Sequence, residues 1–229
     1  MKTKNILLAA LFFIVSCVTM NLFAQDEREL PNFDKITVSQ GVHVVYKQSD
    51  RYYVEVVTSD KKVSKDVVTN VNNGVLEIGL KTDHDVKKRD VVTVYVENPC
   101  LKQIYTLRGA SFKTSKISGG CEFKVIQNKS SLVEITDLDV TDSVDLVVFG
   151  KSKLTIKKLT ASNLNLTMKN ESRSNIEEIH VENSMNVKSE GNSYATIGGE
   201  TPKLRLEGES MKCLDARNLA CNSIDFFGI

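Results

Sequence analysis

Apolar and polar residues alternate along most of this chain, and a period of two marks strands with one face in a core. Tyr105 and Leu107, Leu146 and Val148, Leu164, Leu166 and Met168, and Leu204 and Leu206 each lead up to a Gly or Asn, as Ile224 and Phe226 lead up to Gly228. These Gly/Asn positions are Gly109, Asn128, Gly150, Asn170, Gly191, Gly208 and Gly228, with steps of 19, 22, 20, 21, 17 and 20 residues. The first six place a serine two residues later: Ser111, Ser130, Ser152, Ser172, Ser193 and Ser210. After the serines the alternation resumes with Leu132 and Ile135, Leu154 and Ile156, Ile176, Ile197 and Leu214.

A period near 20 with one small unit per repeat is the mark of a solenoid whose stacked units share a core. Each coil has room for two or three short strands and too little for a helix plus a strand. The predicted fold is therefore all-β, a right-handed, single-stranded parallel β-helix. Gly and Asn tolerate positive φ, which makes the repeated position a corner. The serine after it is expected to point inward, its hydroxyl bonding backbone or the next serine in the stack. Six copies in one phase argue for structure, because a catalytic site is built once.

Residues 30–98 differ. Phe33, Ile36 and Val38 alternate, then Val42, Val44 and Tyr46, followed by the strand-like runs 54–57, 76–78 and 92–96. These predict antiparallel hairpins that grow into and cap the first coil. At most one short helix is expected, over 61–71, capped by Ser59 and Asp60 and ended near Asn72-Asn73-Gly74, with Val63, Val67, Val68 and Val71 on one face. Pro99, before Leu101, marks the join. One domain is expected over 25–229, with 25–98 as the hairpin and capping part and 99–229 as the coils. Phe226-Phe227-Gly228-Ile229 lies inside a coil with no polar cap. A bare solenoid end predicts cover by a second copy, hence a homo-oligomer through the C-terminal coil, or by another partner.

Residues 1–24 read as a signal peptide. Lys2 and Lys4 precede an apolar run from Ile6 to Val18, and Leu22-Phe23-Ala24 offers cleavage after Ala24. Ile14-Val15-Ser16-Cys17 is the rival, a lipobox that would place lipid on Cys17. Both readings imply export, to the periplasm, the outer-membrane surface or the exterior. No second apolar run approaches the ~18 residues of a membrane span. Losing Lys2 and Lys4 drops the 30 basic side chains to 28 against 29 acidic ones. That balance gives no electrostatic reason to expect nucleic acid as a partner. Cys100, Cys121, Cys213 and Cys221 remain. Cys100 and Cys121 are 21 residues apart, which would put them on neighbouring coils, yet their phases relative to the Gly/Asn positions differ by two. Buried free thiols are the expectation.

Candidate chemistry is sparse. His43, His84 and His180 show no metal-ligand spacing, and phosphate-loop, serine-elbow and HExxH motifs are absent, so no cofactor or metal is expected. The one acidic concentration is Glu134, Asp137, Asp139, Asp142 and Asp145. Clustered carboxylates can bind calcium or cleave polysaccharides on β-helix enzymes. Turn preference accounts for Asp137, Asp139 and Asp142 without that chemistry, and Lys151, Lys153, Lys157 and Lys158 can neutralise the group. Glu177-Glu178 is a weaker candidate. Carbohydrate binding favours exposed aromatics; Trp is absent, which leaves Tyr52, Tyr53 and Tyr194. Lys61-Lys62 and Lys87-Lys88-Arg89 read as solvated loops.

Three stretches carry a family resemblance. Arg28-Glu29-Leu30 with 33–38 and Gly41-Val42 forms an opening, and 73–78 with Val94-Tyr95-Val96, Pro99 and Leu101 a middle. The step Leu107-Arg108-Gly109-Ala110-Ser111 follows. Over residues 28–229 the chain resembles the exported bacterial auto-transporter adhesins with a head GIN domain, a domain of unknown function common in Bacteroidetes. The resemblance implies a β-helix-like fold and a cell-envelope location, and it supplies no catalytic residues. The expected function is a non-catalytic exported binding module or adhesin with a glycan or protein ligand. The alternatives are a polysaccharide lyase or hydrolase acting through the turn at 137–145, and a structural envelope protein assembling through its last coil.

Overall fold

The structure, a computed structural model, describes residues 24–59, 61–81, 91–208 and 213–228. Cys17 and nearly all of the signal segment, His84, Lys87-Lys88-Arg89, Ser210 and Ile229 lie outside the described residues. The N-terminal part contains β1 (Ala24–Glu27), β2 (Lys35–Val38), β3 (His43–Gln48), β4 (Tyr53–Thr58), helix α1 (Lys61–Ser64), β5 (Val67–Asn72), β6 (Val75–Leu80) and β7 (Val92–Asn98). The coils follow as β8 (Gln103–Leu107), β9 (Ser111–Ser118), β10 (Glu122–Asn128), β11 (Leu132–Asp139) and β12 (Ser143–Phe149). Four longer strands complete them: β13 (Lys153–Lys169), β14 (Arg173–Ser189), β15 (Tyr194–Gly208) and β16 (Leu214–Gly228).

These strands form a β-solenoid of about 6 turns. Strands β8, β10 and β12 stack in parallel with the second halves of β13 to β16, giving sheet I. Strands β9 and β11 stack with the first halves of the same four, giving sheet II. Along the strands from β8 to β15 buried and outward residues largely alternate, as in Val144, Leu146 and Val148 of β12, and the buried side chains of both sheets make one core. Tyr105 and Leu107, read from sequence as inward, stand on the outer side, while Ile104 and Thr106 are buried.

The chain crosses from sheet I to sheet II through a two-residue corner in which both residues have positive φ. The pairs are Arg108-Gly109, Lys129-Ser130, Gly150-Lys151, Asn170-Glu171 and Gly191-Asn192. Two successive left-handed residues reverse the chain in the least length, as in a type I′ turn. The corners also bond to each other: Ser130 N donates to Gly150 O at 2.8 Å, Lys151 N to Asn170 O at 2.9 Å and Glu171 N to Gly191 O at 2.8 Å.

This geometry shifts the sequence phase in the first coils. Gly109 is the second residue of its corner, and Asn128 is the last residue of β10, so the serine series does not run as read. Ser152, Ser172 and Ser193 are buried, but Ser130 sits exposed in a corner and Ser111 lies on the outer surface against His43. Ser131 takes the inward place. Thr106 Oγ1 donates to Ser131 Oγ at 2.9 Å, and Ser131 Oγ lies 3.3 Å from Ser152 Oγ. Ser172 and Ser193 form a second such pair at 3.2 Å.

The N-terminal part holds the antiparallel pairs β1–β4, β4–β7 and β5–β6. Strands β2 and β3 differ from the hairpin expected there. Gln40 and Gly41 form another left-handed corner, so Val38 and Val42 enter different sheets. Strand β2 lies between β6 and β8, and β3 between β7 and β9, all in parallel. The helix expected over 61–71 stops at Ser64. Its second half is β5, because Val67, Val68, Thr69 and Val71 are β-branched and favour a pleated strand. Asn73 and Gly74, both at positive φ, form the β5–β6 hairpin turn rather than a helix end.

Two polar clasps hold this region. Arg28 donates to Val67 O and Thr69 Oγ1, both at 2.7 Å, and to Ser64 O at 2.9 Å, fixing the chain after β1 against α1 and β5. Inside, Tyr46 Oη donates to Asn98 Oδ1 at 2.6 Å, and Asn98 Nδ2 donates to Phe33 O at 2.9 Å and Cys100 O at 3.1 Å. All four described cysteines are free. Cys100 and Cys121 are exposed rather than buried, since both fall in segments leading into strands, and Cys213 and Cys221 are half-buried.

Candidate ligand-binding face

The outer side of sheet I carries two adjacent rows of side chains, one from each coil. In the first, Asp145, Asn165, Asn186, Arg205 and Asp225 are in register. Asn165 Nδ2 donates to Asp145 Oδ1 and Asn186 Nδ2 to Asn165 Oδ1, each at 2.9 Å. The second row reads Tyr105, Ile126, Val147, Thr167, Lys188, Glu207 and Phe227. It is apolar over the early coils, charged at Lys188 and Glu207, and apolar again at Phe227.

Where the rows meet, a shallow depression of about 350 Å³ is lined by Asp145, Val147, Asn165, Thr167, Asn186, Lys188, Arg205 and Glu207. Arg205 Nε donates to Glu207 Oε1 at 3.0 Å, and its guanidinium lies 4.4 Å from the centre of the Phe227 ring. At the margin, the Lys169 ammonium hydrogen-bonds to Glu190 at 2.8 Å and holds that carboxyl below its usual range. Planar amide, carboxylate and guanidinium groups that follow an apolar strip along the axis can hydrogen-bond hydroxyls over one stretch of a ligand while the strip covers nonpolar ring faces over the next.

The candidate residues read from sequence are dispersed. Asp137 and Asp139 leave the outer side of sheet II, Asp142 lies at the corner leading into β12, and Asp145 is on sheet I. Asp137 meets Lys116 at 3.5 Å and Glu134 meets Lys113 at 3.5 Å, whereas Lys151 pairs with Glu171 at 3.6 Å. Among the described residues, no group of three or more His, Cys, Asp or Glu is placed to hold a metal ion. Tyr52 packs edge-on against Phe33, with ring centres 5.5 Å apart, and Arg51 covers Tyr53 at 4.4 Å. Tyr194 begins β15, seven strands beyond β4 and hence roughly 33 Å away. The three tyrosines do not share a site.

His43 Nδ1 lies 2.6 Å from Ser111 Oγ. His180 Nδ1 lies 2.5 Å from Glu200 Oε1, beside Lys158 and Glu178, around a second open depression of about 570 Å³. Glu178 and Glu200 are both exposed to water. Sequence reading named Asp145 but missed Asn165, Asn186 and Arg205. Their signal was present: all four are polar residues between apolar neighbours at steps of 20, 21 and 19.

The chain belongs to the family described as "Putative auto-transporter adhesin, head GIN domain", which matches residues 32–226. Its fold recurs in a putative adhesin from Parabacteroides distasonis ATCC 8503, with TM-score 0.68, 19% identity, and 90% of this chain and 94% of that one covered. A putative lipid binding protein from the same strain aligns with TM-score 0.62 at 16% identity, covering 90% and 96% of the two chains. A putative adhesin from Parabacteroides merdae ATCC 43184 aligns with TM-score 0.53 at 17% identity, over 90% and 96%. No curated protein matches the chain. Among the described residues, no helix is long and apolar enough to cross a membrane.

Proposed function

We propose that this protein is an exported, non-catalytic adhesin of the cell envelope that binds a glycan across the outer face of sheet I. The observation that carries the reading is the in-register ladder of Asp145, Asn165, Asn186 and Arg205, which takes over along the solenoid axis where the apolar strip of Tyr105, Ile126 and Val147 ends, the two overlapping at Asp145 and Val147 on β12. Family membership and the fold shared with two adhesins support it. Stacking places successive ladder side chains ~4.8 Å apart along the solenoid axis. A linear polysaccharide laid along that axis would meet about one ladder residue per sugar. Hydroxyls of the sugars over the later coils would bond the amides, while the less polar ring faces of the sugars before them rest on Val147 and Ile126.

The test is binding of the mature chain to a glycan array, with and without calcium. The expected result is a saturable hit that is lost in Asn165→Ala/Asn186→Ala and weakened at least tenfold in Arg205→Ala. Circular dichroism on each variant checks that the coil stays folded. Binding that survives all of these substitutions would remove the site from sheet I. An array silent in both conditions would remove the glycan.

A further inference from the structure

Among the described residues, one end of the solenoid is covered and the other is open. At the first end, β1, β4 and β5 pair in antiparallel fashion over the parallel stack, and Arg28 clasps them to α1. At the other, β16 pairs with β15, and no further strand among the described residues pairs with it. The exposures show the difference. Leu204 and Leu206 are each 2% exposed, but their register partners in β16, Ile224 and Phe226, are 55% and 41% exposed. Leu214, Leu219 and Cys221 pack against the core but are only partly buried.

The open end presents two strand edges, because β16 contributes its first half to sheet II and its second half to sheet I. The chain runs out along one and back along the other. A single extended peptide could pair with only one edge, leaving the second unpaired and the core between them uncovered. A suitable lid must offer two edges at the same separation, each able to pair with its target, with apolar side chains between them. The same end of a second copy, turned about a two-fold axis across the solenoid, meets these requirements by symmetry. Sheet I then continues into sheet I, and sheet II into sheet II.

The rim also permits self-contact. Asp215 is neutralised by Arg217 at 2.7 Å and Asp225 by Lys203 at 3.1 Å, within the same chain. Two identical rims therefore meet without unpaired like charges, which would otherwise oppose a symmetric interface. We propose that two copies of this chain associate end to end through β16, extending both sheets across the dimer and burying Ile224 and Phe226.

Sedimentation of the mature chain up to tens of micromolar tests this directly. A dimer is expected, with β16 amides that become more protected from hydrogen exchange as concentration rises. Ile224→Lys/Phe226→Lys should weaken association by at least 100-fold. Its far-UV spectrum should not change, because both side chains already face solvent in the single chain. Val91→Lys, at an exposed position on the covered end, should leave the dimer intact. A wild-type monomer throughout that range would overturn the proposal and assign the open end to a different partner. A dimer that persists unchanged in the double variant would place the interface elsewhere and overturn it equally.

Discussion

Tyr46→Phe removes one oxygen from the centre of the N-terminal part and leaves the packing almost as it was. The ring is 2% exposed and stacks on Phe112 with centroids 5.7 Å apart, a contact that phenylalanine retains. What is lost is the 2.6 Å donation to Asn98 Oδ1. Asn98 is fully buried, and its amide nitrogen remains tied to Phe33 O and Cys100 O, so the side chain cannot turn to seek another donor. An unsatisfied buried acceptor costs about 1–3 kcal/mol. Taking the middle of that range, about 2 kcal/mol, the melting temperature should fall by about 4–8 °C for a chain of this size. Guanidinium unfolding followed by circular dichroism measures the free energy. A loss below about 0.5 kcal/mol would refute the claim that this hydrogen bond is unreplaced and water-free. The same substitution has a signature in alkali. Burial, reinforced by Cys100, raises the phenol of Tyr46 above its ordinary value of 10.0. A group whose folded value is raised contributes stability that is lost as pH climbs past its unfolded value. The wild type should therefore lose stability above about pH 10 more steeply than Tyr46→Phe.

Other perturbations test other parts of the fold. Hydrogen bonds from Arg51, then Ser49, lower Glu97 from 4.5 to about 2. Its contribution is present above pH 4.5 and lost as pH falls toward 2, so Glu97→Gln should flatten the stability profile across that window in acid titrations of unfolding. Gly199 has φ +107°, and an added Cβ would strike the backbone of Ile179; Gly199→Ala should cost about 3 kcal/mol or more, read as a lowered denaturation midpoint. Arg28→Met should cost about 2–3 kcal/mol through the orphaned carbonyls of Ser64 and Val67. It should also speed hydrogen exchange in β1 and β5 while leaving β13 to β15 protected.

Period-two alternation and the spacing near 20 made the coils legible, because a strand with one buried side cannot hide its pattern. The corners were legible only in part. Gly and Asn advertise positive φ, but Arg108, Lys129, Ser130, Lys151 and Glu171 adopt it too, held by the stacked corner hydrogen bonds. Residue type therefore misplaced the first corners, and with them Ser111 and Ser130. Strand β5 was misread as helix because Val63, Val67 and Val71 fit both periods over so short a run. Among the candidate site residues, Asp137, Asp139, Asp142 and Asp145 are near in sequence yet part in space, since a chain that winds in coils separates neighbours and joins residues 20 apart. The ladder of Asn165, Asn186 and Arg205 was hidden for the same reason. It becomes visible only when the sequence is folded at the correct period.

The rung formed by β2 and β3 has neighbours on both sides, with β6 and β7 below it and β8 and β9 above. It is thus the structural base of the stack, a seed in the geometric sense, and each later coil rests on the edge left by the one before it. Whole coils can be gained or lost beyond the seed without reworking it. Every coil gained would lengthen both outward rows by one side chain. If the proposed glycan lies along this face, the number of coils sets how long a stretch of it the face can hold.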